Sequence, residues 1–543
     1  MLKLRGTDLL GSNQGNESSE KHQTAAGSQQ APETIIGRKS QYYIIAAALL
    51  ALFLGALDAL VMSAAMPTII AELGGLHLYS WVYSAYLLAR AVSLPIFGKL
   101  ADIFNSKRLF IITISIFLMA SIFAGLAQTM TQLILWRAFQ GIGGGGIFAL
   151  VYIVLADISS PESRAKNLSL GSFIWGLASV FGPTFGGFVV TYFSWRWIFF
   201  VNVPLSILSL LGIGFYLVEI REKKKEAAID YLGALTLSTG VLGLLTIFLL
   251  AGRNYSWDSP PIILLILVTV VSSIAFYFRE KRAREPILSL DFFGNRGFSA
   301  GNGAAFLASF SIFALFAYSP LFIQGALGKT PLEMSLAMLS LSLGWSVGAL
   351  SCGQLVNRIG KKPLAILGSL CLVVGGGITL TFSTATPMTT CVIVLGLIGI
   401  GMGFVSMATL LIVQDSLAVS DLGVATASQQ FSRTLGGTIG VGIAGSFVTA
   451  AMSKTMNSLM NAGSSDGSAS VSGQISQNIE NLLQPEVQAL LSPDVLKTLQ
   501  DAVARGVSMV FWVTLFASVL CFLFSIVLPG HRDAKQKSAD HHR

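Results

Sequence analysis

One carboxylate interrupts the run "LFLGALDALVMSAAMPTII" at residues 52–70: Asp58, in a stretch otherwise apolar enough to lie in lipid. A charge at membrane depth costs about 2.5–3.5 kcal/mol or more, so one that is kept points to work being done there. Three further charges occupy comparable runs: Arg90 in "YLLARAVSLP", Arg137 in "LILWRAFQGIGGGG" and Arg433 in "FSRTLGGTIG". At about 1.5 Å of rise per residue, Asp58 lies roughly 12 Å and Arg137 roughly 8 Å inside the outer ends of their helices. Arg90 and Arg433 fall near the middle. None can snorkel to water easily, so the four are expected to face one aqueous cavity or to pair. The chemistry open to such a set is reversible proton binding. Burial and a neighbouring guanidinium act in opposite senses on a carboxylate, so a change of access or partner can load or release a proton. A static Asp–Arg pair that fixes helix packing is the competing reading.

The elements that must position these groups are membrane helices. Of 543 residues, 53% are hydrophobic and 11% charged, against about 25% charged in soluble domains. Apolar stretches of about 20 residues, the length that spans a bilayer, recur from Tyr42 onward. They predict fourteen helices and hence both termini on one side. Six of the 35 Lys and Arg fall in the segments on one side (Arg196, Arg253, Lys329, Lys454, Lys497 and Arg505), three lie within helices, and the rest gather on the other side. That asymmetry predicts cytoplasmic termini and a multi-pass protein of the cell membrane. It also accounts for the net charge of +8 without any nucleic acid.

Enzyme and cofactor signals are absent. The cysteines, Cys352, Cys371, Cys391 and Cys521, sit in apolar segments without metal-ligand or disulfide spacing, and no histidine falls in a predicted helix. "QGALGKT" (324–330) ends like a phosphate loop, but position 323 is Ile where that loop needs Gly. Neither a metal nor a cofactor is expected, and any uphill movement must draw on an ion gradient.

The predicted organisation is a polar tail at 1–40, expected to be disordered, a six-helix bundle at 41–219, a helix pair at 229–280, a second six-helix bundle at 297–528, and a tail at 529–543. Within the second bundle, the outer loop 453–505 reads as surface helices or as a substrate gate. An internal repeat supports two bundles: Gly98 of "GKLADIFNSKR" and Gly353 of "GQLVNRIGKKP" are 255 residues apart, as are Gly182 of "FGPTFGG" and Gly437 of "LGGTIGV". Parallel duplicated halves with a path between them are one plan for a transporter.

Four of these stretches carry a family resemblance. "GKLADIFNSKR" resembles the loop signature G-x-L-A-D-R-x-G-R-K of the major facilitator superfamily, and "LILWRAFQGIGGGG" its helix 4 signature L-x-x-x-R-x-x-Q-G-x-G. "SVFGPTFGG" is similar to the helix 5 antiporter signature. "LDALVMSAAMPTI" resembles the helix 1 pattern of the fourteen-helix drug:proton antiporter branch. The resemblance implies an all-α membrane fold of two six-helix bundles plus an inserted linker pair. It further implies a monomeric, proton-coupled exporter of amphiphilic small molecules such as drugs.

By that resemblance, Asp58 and Arg137 couple protons, Arg90, Arg433 and Gln140 line the substrate cavity, and Gly98, Asp102, Lys107, Arg108 and Arg358 form a cytoplasmic gate. Asp102 can accept there from an Arg or from a helix N-terminus. Asn105 stands where the loop signature has Gly, and tolerates a left-handed turn. In helix 5, Gly182, Pro183, Gly186 and Gly187 imply a close-packed hinge. Arg90 departs from the branch pattern. It can neutralise Asp58 or bind an anionic headgroup, and two central arginines with one acid favour zwitterions, anions or lipids as cargo. A lipid or lysolipid exporter therefore stands as an alternative, and a non-transporting receptor or scaffold as a further one.

Overall fold

The computed structural model describes residues 38–74, 78–219, 229–251, 255–283, 285–463 and 493–530. The N-terminal tail up to residue 37, the middle of the outer loop and the last thirteen residues lie outside them. The structure is all-helical. Six long helices come first: α1 (Arg38–Leu73), α2 (Tyr79–Ile103), α3 (Ser106–Gly125), α4 (Met130–Asp157), α5 (Pro161–Tyr192) and α6 (Trp197–Tyr216, with a turn at Val201). A pair follows, α7 (Tyr231–Leu250) and α8 (Pro260–Glu280). Six more complete the chain: α9 (Arg296–Leu321), α10 (Pro331–Ile359), α11 (Lys361–Thr379), α12 (Met388–Asp415), α13 (Leu422–Gly463) and α14 (Pro493–Val527).

Twelve helices among the described residues are long and apolar enough to cross a membrane, which makes this a multi-pass membrane protein. The two long helices outside that set, α2 and α13, are the more polar ones: α2 carries Arg90, Lys99 and Asp102, and α13 carries Gln429, Gln430 and Arg433. They pack against each other. Helices that turn polar side chains inward need less apolar surface than those facing lipid. α8 is the opposite case, with Ile263, Leu264, Leu267 and Val271 all more than half exposed to what would be lipid.

Packing repeats with the sequence. α2 packs on α4 as α10 does on α12, α1 on α5 as α9 on α13, and α3 on α6 as α11 on α14. The two groups meet through α2 with α13 and α5 with α10, pairs that the repeat interchanges. α7 lies along the α2–α13 seam, where Val241 and Leu245 pack with Leu88 and Ala91. The largest core cluster crosses between the groups, joining Phe148 and Tyr152 of α4 to Phe404 and Met407 of α12.

Local chemistry sets the ends. Ser160 caps α5 with Pro161 at its first position, and Thr330 with Glu333 forms a capping box on α10. Gly360, at φ +94°, is the single residue between α10 and α11, a turn that an L side chain would strain. Its counterpart at the 255-residue offset, Asn105, does not take the left-handed turn expected of it. At φ −60° it is extended and caps α3 instead, accepting from the Arg108 N–H at 3.0 Å. Several helices outrun their predicted spans. α13 continues to Gly463 and α14 begins at Pro493, so the ends of the predicted loop 453–505 are helical. Hydropathy marks where lipid ends, whereas backbone hydrogen bonding continues as long as the chain permits.

Candidate functional site

Asp58 of α1 and Arg137 of α4 form a buried ion pair, Nη1 to Oδ2 at 2.5 Å. Gln140, one turn along α4, donates to the other Asp58 oxygen at 2.8 Å and accepts from Arg137 at 2.7 Å. Its amide also donates to Ser121 of α3 at 2.9 Å, while Asn202 of α6 donates to Asp58 at 3.3 Å. The Arg137 guanidinium stacks on the Tyr86 ring of α2 at 4.4 Å, and the Tyr86 hydroxyl donates to the Gly55 carbonyl at 3.2 Å. Every one of these side chains is no more than 1% exposed. Five helices of the first group thus contribute to one closed polar network. Gly141 and Gly143 let α4 approach the backbones of α2 and α3, where a Cβ would meet Tyr86 O and Phe117 N. Glycine there is what brings Arg137 and Gln140 within reach of Asp58.

Arg90 touches that network at the Tyr86 hydroxyl rather than at Asp58. It lies over Phe148 at 4.3 Å and Trp175 of α5 at 5.4 Å. Arg433 lies over Trp345 of α10 at 5.1 Å and donates to Gln430 at 3.0 Å. Among the described residues neither guanidinium has a carboxylate at ion-pair distance. Of the two arrangements expected, one shared cavity or pairing, Asp58 and Arg137 take the second inside the first bundle, while Arg90 and Arg433 stand apart from them at the seam between bundles. Gln140, expected in the cavity, belongs with Asp58 and Arg137.

At the ends of α2 and α5 that carry most basic residues, a latch joins the halves. The Asp102 carboxylate accepts from the N–H groups of Gly423 and Val424 at 2.8 and 2.9 Å, capping the start of α13. It is 2% exposed, and the helix dipole there favours a negative charge. Gly98 permits the approach: a Cβ on it would overlap Ala427 and lie 2.9 Å from the Gly423 carbonyl. Across the seam, Asn357 donates to the Glu162 carbonyl at 2.9 Å, Arg164 donates to Gln414 at 2.9 Å, and Asp415 pairs with both Arg164 and Lys361. Lys107, Arg108 and Arg358 carry no ion pair or side-chain hydrogen bond among the described residues, and the Asp102 carboxylate accepts from the two backbone N–H groups that start α13. The latch residues missed by motif reading, Arg164 and Asp415, stand just beyond the ends of apolar runs, where positive-inside topology explains charge without further comment.

In α5, a Cβ on Gly182 would lie 2.8 Å from Leu60, two residues from Asp58, so α5 and α1 are in close contact there. Gly186 is buried. Gly187 has nothing within 4 Å, and the helix runs unbroken through Pro183. The expected close packing is present at Gly182 and absent at Gly187.

Duplicated helical bundles meeting at a seam, with a buried charge network on one side and a latch at one end, define a membrane transporter architecture rather than an enzyme. The chain belongs to the Major Facilitator Superfamily, whose family model matches residues 48–441. It is 33% identical over 479 residues to the Multidrug transporter protein MdtP of Bacillus subtilis (strain 168), covering 88% of each chain. It is 30% identical over 490 residues to Multidrug resistance protein 3 of the same organism, covering 90% of this chain and 95% of that one. The fold is also that of the proton:xylose symporter XylE, with a TM-score of 0.57 at 15% identity over 90% of this chain and 95% of that one.

Proposed function

We propose that this transporter is a proton-coupled antiporter that exports amphiphilic small molecules across the cell membrane by alternating access. α2 and α13 complete fourteen spans, both termini are cytoplasmic, and the monomer is the working unit. The bundles are 41–219 and 297–528, with 229–280 as the linker pair. Similarity to relatives named multidrug transporters supports the substrate class, and the buried Asp58–Arg137–Gln140 network is the observation that carries the coupling.

The charge bookkeeping explains why. With Asp58 ionised, the pair with Arg137 is neutral. A proton on Asp58 leaves an unbalanced Arg137 cation in a dry bundle, an arrangement that costs several kcal/mol unless the surroundings change. Proton loading therefore favours a rearranged bundle, and a rearranged bundle favours proton loading. Tyr86 transmits the change: its ring lies under Arg137, and Arg90 follows one helical turn later at the seam. The Asp102 latch holds the cytoplasmic ends together while cargo and proton exchange on the outer side. Gly98, Lys107, Arg108 and Arg358 serve that end of the cycle, the three bases through contact with the anionic leaflet. Gly182, with Pro183 and Gly186 beside it, lets α5 shift against α1, and Gly187 leaves the helix surface beyond them open.

The test uses purified protein in proteoliposomes carrying a pH gradient and an internal pH dye, challenged with lipophilic amines, aryl sulfonates and lysolipids. Cargo-dependent proton movement is expected. Cargo flux that is indifferent to the gradient and moves no protons would exclude antiport.

A further inference from the structure

The seam carries an asymmetry that the repeat makes legible. At the 255-residue offset, Arg90 of α2 corresponds to Trp345 of α10, and Trp175 of α5 corresponds to Gln430 of α13. Each half nevertheless places one guanidinium over one indole: Arg90 with Trp175, Arg433 with Trp345. The duplicated helices have exchanged the two roles, so the pairs face each other across the seam. They flank a close approach of α5 and α10, where Ser346, beside Trp345, donates to the Ser172 carbonyl at 3.0 Å and occupies the space a Cβ on Gly176, beside Trp175, would need. Both guanidinium groups lie within electrostatic reach of the buried Tyr152 hydroxyl.

Most of the unfilled hydrogen-bonding capacity at this place is on donors. Trp345 Nε1 and Arg433 Nε are buried N–H donors without an acceptor, while the Gln430 amide is turned toward the Tyr152 hydroxyl. The neighbouring Gln429 turns its amide into the second bundle, where Nε2 donates to Ser406 and Thr409 and Oε1 is left without a donor. Two cations without a counter-carboxylate and two unused donors are costly to hold in a low-dielectric seam. A ligand that brings acceptor oxygens and a negative charge removes that cost. Two indoles and Phe148 supply flat apolar surface beside the charges, suited to an aromatic or aliphatic body.

We infer that the seam formed by Arg90, Trp175, Trp345, Gln430 and Arg433 binds an amphiphile with a single oxyanion, such as a carboxylate, sulfonate or phosphate, next to an apolar body. This rests on the transporter reading only for its claim that such a ligand is cargo. Arg433 and Trp345 hold the oxyanion, Arg90 balances the remaining charge, and the aromatic faces take the body.

Equilibrium binding tests this without any gradient, so its outcome is separable from that of the transport assay. The full chain in neutral detergent is titrated with pyrene-1-sulfonate and with its cationic isostere, a pyrenylmethyl trimethylammonium, read by energy transfer from tryptophan. The sulfonate is expected to bind at least tenfold more tightly than the cation. Arg90→Gln and Arg433→Gln each should lower sulfonate affinity at least tenfold while leaving cation affinity equal or higher. Arg433→Lys, which keeps the charge, should retain part of the preference, which separates loss of charge from loss of fold. Displacement of the sulfonate by lysophosphatidylglycerol would assign the site to lipid cargo; displacement only by soluble aryl or alkyl carboxylates would assign it to free amphiphilic anions. Equal binding of the two probes, or sulfonate affinity unchanged in both glutamine variants, would overturn the inference.

Discussion

Arg137 and Asp58 are joined at 2.5 Å with side chains 1% and 0% exposed, so the one acid that lies deep in the first bundle is held closed off from water. That relationship makes the pair a stability determinant as well as a coupling element. Asp58→Ala leaves a buried cation unpaired and should destabilise the protein by about 3–5 kcal/mol, as should Arg137→Ala. The double variant Asp58→Ala with Arg137→Ala should lose much less than the sum of these two single changes, because neither charge is then left buried without the other. Thermal unfolding of the four proteins in detergent, read as a double-mutant cycle, checks this. Strict additivity would mean the contact has no energetic content.

The latch makes a comparative prediction. Asp102 is buried on the N-terminus of α13, whereas Asp415 is 42% exposed between Arg164 and Lys361. Asp102→Asn should weaken the closed state by about 0.5–2 kcal/mol, the range for helix-terminal caps. Asp415→Asn should change it by less than about 1 kcal/mol, since exposed pairs are screened. Spin labels at Phe104→Cys and Val419→Cys, both on exposed positions at that end, report the separation of α2 from α13. Gly98→Leu should force the separation outright.

At the opposite end of α1, Glu72 accepts from Arg196 at 2.5 Å and from the Trp195 indole at 2.7 Å. The Arg196 hydrogen bond, then that of Trp195, holds its carboxyl below the usual range. A depressed carboxyl contributes stability above the ordinary carboxylate range and loses it as pH falls through the lowered value. Wild type should therefore be more stable than Glu72→Gln at pH 7, with the difference shrinking below about pH 4. Melting curves from pH 7 to pH 3 test the sign. Between pH 5 and 8 Glu72 contributes no slope, so pH dependence of transport in that window must arise elsewhere.

The sequence showed depth but not direction. Hydropathy placed Asp58, Arg90, Arg137 and Arg433 along their helix axes, because charge interrupts an apolar run wherever it stands. It could not say which face of α2 Arg90 occupies, and a helix turns about 100° per residue. Arg90 and Tyr86 are only one turn apart, yet the first meets Phe148 and Trp175 while the second meets Arg137. Asn202 escaped notice within "FFVNVPLS", since one amide hardly dents a hydropathy window. The signal that would have found the seam was present in the repeat: the offset that pairs Gly98 with Gly353 also pairs Arg90 with Trp345. The backbone caps on Asp102 were beyond reach, because a helix N-terminus more than three hundred residues away is a tertiary fact.

The most direct measurement compares wild type with Asp58→Asn in proteoliposomes, following internal pH and labelled cargo together. Coupling through Asp58 requires that the variant still exchange cargo down its gradient while cargo-dependent proton movement disappears. Proton movement per cargo molecule equal to that of wild type would contradict the account and reduce the Asp58–Arg137 pair to a packing element.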